Sequence, residues 1–188
     1  EISLIKNERV ALEHYFSKNC SEEVFRKIYE GYEERKKRAR LIVFDDMLVY
    51  TWELLSQRKD ILSAWQKKSQ YILVDEFQDI NQVQYDVVKM LAAPANNLFV
   101  VGDDDQAIYG FRGARPGIMQ KFCADYPQAK RILLDRNYRS TGNIVRSSLR
   151  VIENNQERYK KNLRADAGAG ETVHVQEVKD PQEESRYV

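Results

Sequence analysis

The chain has only two cysteines among 188 residues, Cys20 and Cys123, and they lie too far apart to fit a metal-ligand spacing. They read as reduced thiols of a cytosolic protein, which excludes a disulfide framework and points to a cytoplasmic location. No apolar run approaches the ~18 residues of a membrane span, and no signal peptide is visible. An excess of either charge is also lacking. Lys plus Arg is 30 against 29 Asp plus Glu, so any surface for a polyanion must come from local clustering. None of the eight glycines is followed by lysine, so the phosphate-cradling loop G-x-x-x-x-G-K-S/T is absent. There is no internal repeat and no low-complexity tract.

What is present is globular: 43% hydrophobic and 31% charged, enough for one domain or one domain plus part of another. Residues 21–40 have helical periodicity, with Ser21 as cap and Val24, Phe25, Ile28, Tyr29 and Tyr32 at spacings of three and four. The basic run Arg35 to Arg40 closes that helix and reads either as a solvated face or as a DNA contact. Phe44-Asp-Asp46 opens a second helix, with Asp45 or Asp46 as cap and Met47, Tyr50 and Leu54 on one face.

From residue 71 the pattern alternates. Strand 71–74, helix 80–92, strand 98–101, helix 116–125 and strand 131–134 predict an α/β fold with a parallel sheet built from βαβ units. Thr141 starts a further helix to about Asn155. The small, Gly-rich stretch Ala165 to Gly170 reads as a linker, and residues 172–178 as a new strand, which sets a domain boundary near 165–171. The chain starts with Glu1 rather than Met and stops inside an incipient helix, so an excised piece of a larger protein is expected.

Ligands of open parallel sheets sit beyond the C-terminal strand ends. Asp75 and Glu76 stand at such an end. One carboxylate there can hold Mg²⁺ through its water shell while its neighbour orients an attacking water; a polar strand end before a helix cap is the plain alternative. Asp103-Asp-Asp-Gln106 follows the next strand, where a glutamine can hydrogen-bond a terminal phosphate, or where the acids simply form a turn. Tyr109-Gly-Phe-Arg-Gly113 sets two aromatics two residues apart between glycines, suited to stacking on single-stranded bases or to folding back into the core. Asn137-Tyr-Arg-Ser-Thr141 follows the third apolar run. Arg139 there can neutralise a transferring phosphoryl group and Tyr138 can stack on a base, or the segment is a helix start capped by Ser140 or Thr141.

In this order, Asp75-Glu-Phe-Gln-Asp79, Val101 to Ala114 and Leu134 to Thr141 closely resemble the UvrD/Rep/PcrA family of superfamily-one DNA helicases. The likeness is strong over residues 71 to about 160 and looser over 41–70, through Phe44-Asp-Asp-Met-Leu48. The resemblance implies a partial RecA-like (P-loop NTPase) sheet with an N-terminal helical segment. Residues 1–60 would end a helical insertion and return into the core, 61–164 would be part of the first core domain, and 165–188 would begin the second. It implies ATP and Mg²⁺ as cofactors and single-stranded and partly duplex DNA as partner, with no membrane.

The implied roles are Mg²⁺ contact for Asp75, water activation for Glu76, and γ-phosphate sensing for Gln106. Tyr138 would lie against adenine, Arg139 on the γ-phosphate, and Tyr109, Phe111 and Arg112 on DNA. Phe111 stands where the family often has Trp, and Ala107 and Ile80 replace small hydroxyl residues. The resemblance puts the missing phosphate loop upstream of Glu1, so the chain as it stands is expected not to hydrolyse ATP. The alternatives are a non-catalytic nucleic-acid-binding or docking module and a subunit of a helicase–nuclease.

Overall fold

The computed structural model describes all residues except Phe111, Arg112, Gly113, Pro116, Glu157 and Val188. The described residues form eight α-helices and four short strands, in two compact units, Glu1–Ala129 and Lys130–Val188.

In the first unit, helices α1 (Ile2–Glu8), α2 (Glu22–Ala39), α3 (Phe44–Gln57) and α4 (Lys59–Lys68) precede β1 (Ile72–Val74), α5 (Gln82–Ala92), β2 (Leu98–Val100) and α6 (Gly117–Asp125). Strands β1 and β2 pair in parallel, Ile72 opposite Leu98 and Val74 opposite Val100. Parallel neighbours need a crossover, and α5 supplies it, as the periodicity predicts. Asn81 caps α5: its Oδ1 accepts from Gln84 N, and Gln84 Oε1 accepts from Asn81 N, both at 2.9 Å. The core behind this unit is Phe77, Tyr85 and Ile118, with Val74, Val100 and Phe122 packed against it. Phe77 meets Tyr85 and Phe122 edge-on, at 5.8 and 5.5 Å between ring centres. Burial, then the hydrogen bond from its hydroxyl to Asp125, pushes the Tyr85 phenol well above its ordinary range.

Helices α1, α2 and α3 meet around a charged knot. Lys6 Nζ donates to Asp46 Oδ1 at 2.6 Å, and Lys36 Nζ donates to Oδ1 and Oδ2 at 2.7 and 2.6 Å. All three residues are buried, Asp46 to 4% exposure. Burial opposes ionisation of Asp46, but the hydrogen bonds from Lys36 and Lys6 outweigh it and hold the carboxyl at about 2.

This knot corrects two expectations. The apolar face Met47, Tyr50, Leu54 of α3 is exposed, and the buried positions are Asp46, whose carboxylate is held by Lys6 of α1 and Lys36 of α2, and Leu55. The N-cap position of α3 is Val43, whose N–H is satisfied at 3.1 Å by Asp46 Oδ2 from inside the first turn. On α2, Phe25 and Lys36 are buried while Val24 and Ile28 face outward. Lys36 is thereby withdrawn from the basic run.

In the second unit β3 (Arg136–Asn137) pairs in parallel with β4 (Arg164–Ala165), around α7 (Gly142–Ile152), and α8 (Pro181–Tyr187) follows. The expected strands 131–134 and 172–178 do not form. Ile132, Leu133, Leu134, Val173 and Val175 are exposed, and no strand among the described residues lies beside them to complete a ladder. The expected linker at 165–170 folds back on the start of α7. Gly142 N donates to Gly168 O at 2.9 Å and Asn143 N to Ala169 O at 2.8 Å. Gly170 has φ +71°, and a Cβ there would lie 2.4 Å from Thr141, so this turn requires glycine. The division between units falls after Ala129, and the expected boundary at 165–171 lies inside the second unit.

Candidate active site

The ladder between β1 and β2 continues past the strands. Val101 N donates to Val74 O at 2.8 Å, and Phe77 N donates to Val101 O at 2.9 Å. These two bonds bring the segments after both strands side by side. Phe77, in the first of these segments, is wholly buried and anchors it to the core.

Glu76 adopts a left-handed backbone, φ 49° and ψ 42°. A side chain in that region costs of order 1 kcal/mol or more and is held only by firm surroundings. Asp75 Oδ1 accepts from Glu76 N at 2.9 Å, and Asp79 N donates to Glu76 O at 2.9 Å. Asp75 and Glu76 are both exposed; Glu76 lines an open cleft of about 660 Å³ together with Gln78, Asp79, Asp105, Gln106, Ile108 and Tyr109.

Across the cleft, Asp103 organises a single 3₁₀ turn, Asp104–Gln106. Its Oδ1 accepts from Asp105 N at 3.1 Å and its Oδ2 from Gln106 Nε2 at 2.7 Å. Gln106 is exposed to the cleft. Carboxylate oxygens of Asp103, Asp104 and Asp105 lie within 4.8 Å of one another, so hard-cation donors cluster here as well as at Asp75. Mg²⁺ binds through one or two carboxylates and keeps its remaining waters. The exposed Asp75 carboxylate, with Oδ1 on the Glu76 amide, suits that use. Tyr109 is 39% exposed and lines the same cleft. Phe111 and Arg112 lie outside the described residues.

Tyr138 and Arg139 belong to the second unit. Asn137 Oδ1 accepts from Arg139 N at 3.0 Å and Ser140 N at 2.8 Å, so this asparagine shapes the turn. Thr141 occupies the N-cap position of α7 without a side-chain cap bond. Both side chains are exposed on that turn, Tyr138 at 70% with the Arg136 guanidinium 5.6 Å from its ring centre. Among the predicted residues the structure thus gathers Glu76, Gln106 and Tyr109 around one cleft, with Asp75 beside Glu76.

Gln78 escaped the sequence reading. It is 1% exposed. Its Nε2 donates to Glu76 Oε2 at 2.8 Å, and its Oε1 accepts from Asp103 N at 3.0 Å. The signal available was a polar residue two positions after the acid pair, beside an apolar Phe77.

Residues 1–127 match the UvrD/REP helicase N-terminal domain family, and residues 132–188 the UvrD-like helicase C-terminal domain family. YjcD of Bacillus subtilis is 48% identical over 161 residues, which is 86% of this chain and 21% of that protein. The ATP-dependent DNA helicase PcrA of Staphylococcus aureus is 42% identical over 161 residues, 86% of this chain and 22% of its own length. PcrA of Leuconostoc citreum is 36% identical over 189 residues, the whole of this chain and 25% of that protein. The chain therefore spans about a fifth to a quarter of the relatives it matches. With the domain families meeting near residue 130, where the two units divide, and Glu76, Gln106 and Tyr109 set around one cleft, the chain belongs to the UvrD/REP helicase family.

Proposed function

We propose that this chain supplies the water-activating and phosphate-sensing part of an ATP-dependent DNA helicase that acts in replication or repair. The observation that carries the reading is the meeting of Glu76 and Gln106 across one cleft, at the C-terminal ends of two parallel strands. That is where open α/β sheets bind ligands, and β1–α5–β2 is one βαβ unit of a RecA-like sheet. The passage to the second core domain is proposed near residue 130, supported by the two units and by the matched families.

In this reading the Glu76 carboxylate takes a proton from the attacking water, and the left-handed turn aims it into the cleft. Gln106 hydrogen-bonds the terminal phosphate, and the Asp103 side chain holds its amide until the phosphate arrives. Asp75 would hold Mg²⁺ through its waters, and the ion would supply neutralisation of phosphate charge. Tyr138 stacks on the adenine and Arg139 meets the γ-phosphate. Tyr109, with Phe111 and Arg112, holds single-stranded DNA by stacking.

The test is Glu76→Gln in a full-length protein carrying this segment. Nucleotide affinity should be retained and ATP turnover abolished, read by a fluorescent nucleotide and by phosphate release. Full turnover in that variant would refute the role of Glu76.

A further inference from the structure

The geometry points to Gln78 as a positioning residue that ties the Glu76 carboxylate to the turn carrying Gln106. The inference rests on the role given to Glu76 above.

Both ends of one buried carboxamide are in use. The amino group donates to Glu76 Oε2 at 2.8 Å and lies 3.4 Å from Asp79 Oδ2. The carbonyl accepts from Asp103 N at 3.0 Å, at the start of the turn whose last residue is Gln106. Asp103 in turn holds Gln106 through Oδ2. A hydrogen-bonded chain therefore runs Glu76–Gln78–Asp103–Gln106, from the group that takes a proton to the group that senses phosphate. A buried amide with both ends bonded has little freedom, since each lost bond leaves a desolvated polar atom.

The space around Gln78 supports the same role. A Cβ added at Gly102 would lie 2.8 Å from Gln78 Oε1, 3.1 Å from Gln78 N and 3.2 Å from Phe77 N. Glycine at 102 leaves room for the amide to reach across. Displacement of the 103–106 turn would pull on the carbonyl of Gln78 and swing its amino group, and Glu76 would move with it. The link thus makes alignment of the base depend on whether Gln106 has engaged phosphate.

Three substitutions perturb the link differently. Gln78→Glu is nearly isosteric, keeps the acceptor for Asp103 N and places a carboxylate against Glu76. Gln78→Met fills the space and removes both bonds. Gly102→Ala keeps the glutamine and crowds its carbonyl, together with the backbone at Phe77 and Gln78. In the full-length protein each should lower kcat for DNA-stimulated ATP hydrolysis by about tenfold or more, while KM for ATP and Kd for single-stranded DNA stay within about threefold. In the Glu76→Gln background, Gln78→Met should leave the residual rate unchanged, because a residue acting through Glu76 has nothing left to position.

Unchanged kcat in Gln78→Glu overturns the inference. So does a further fall in rate when Gln78→Met is added to Glu76→Gln. So does a loss of kcat, nucleotide affinity and thermal stability in parallel across all three, including failure to fold, since Gln78 would then serve the fold alone. Full turnover in Glu76→Gln removes the reading of Glu76 itself. A dead Glu76→Gln with fully active Gln78 variants removes only the link.

Discussion

Asp46→Asn tests the charged knot. The wild-type carboxyl is held at about 2 against an ordinary 3.8. That difference corresponds to about 2 kcal/mol in favour of the ionised folded state. The residue is 4% exposed, so solvent screens little of it. Asn keeps the shape and a carbonyl, but leaves Lys6 and Lys36 sharing only Glu33, at 2.6 and 3.1 Å. Breaking a buried pair by removing one partner costs about 3–5 kcal/mol. A loss of about 3 kcal/mol is expected at pH 7, a fall of roughly 1–3 M in urea midpoint. The pH dependence has a definite sign. A carboxyl with a depressed folded value stabilises fully above its unfolded value and loses that contribution as pH falls through the folded one. Wild type should therefore lose about 2 kcal/mol between pH 4 and 2 that Asp46→Asn never had, and the two should converge at the acid end. The assay is urea unfolding by circular dichroism at pH 7, 4 and 2. A difference under about 1 kcal/mol at pH 7, or parallel pH profiles, would show that the lysines find other partners.

Two further outcomes are expected. Tyr109→Ala should weaken single-stranded oligonucleotide binding by the full-length protein about tenfold in fluorescence anisotropy at fixed salt, since stacking contributes roughly 1–3 kcal/mol per base; adding Phe111→Ala should weaken it further, and unchanged affinity would remove the stacking role. Gly170→Ala should force its turn open, because its Cβ would fall 2.4 Å from Thr141 at φ +71°. Faster amide exchange at Gly142 and Asn143 is the expected signature, and unaltered protection would show that the turn accommodates the methyl.

The βαβ unit was legible because its signals are local. Ile72 to Val74 and Leu98 to Val100 are short apolar runs, and the helix between them is predicted at 80–92 against an observed Gln82–Ala92. The face of α3 was misread because apolarity marks a stripe, whereas the buried position is an aspartate made tolerable by two lysines from other helices. The run 131–134 has strand composition, yet a strand exists only beside another, and that depends on neighbours composition does not name. The acid pair, Gln106 and Tyr109 were legible as motif members. Gln78 was not, because its role lies in bonds to residues before it and 25 positions after it, and a glutamine reads as surface until burial is known.

The short crossover between β1 and β2 also bears on the order in which the molecule assembles. The ladder that brings the two strand ends together closes a loop of only about 25 residues, one helix long, so the entropy of closure is small and the contacts are nearly local. On a ribosome, where chain emerges N-terminus first, Glu76, Gln78 and Asp103 can reach their places once residues up to the core helix α6 have appeared. The framework of the cleft is then complete within the first unit, before the second unit has emerged.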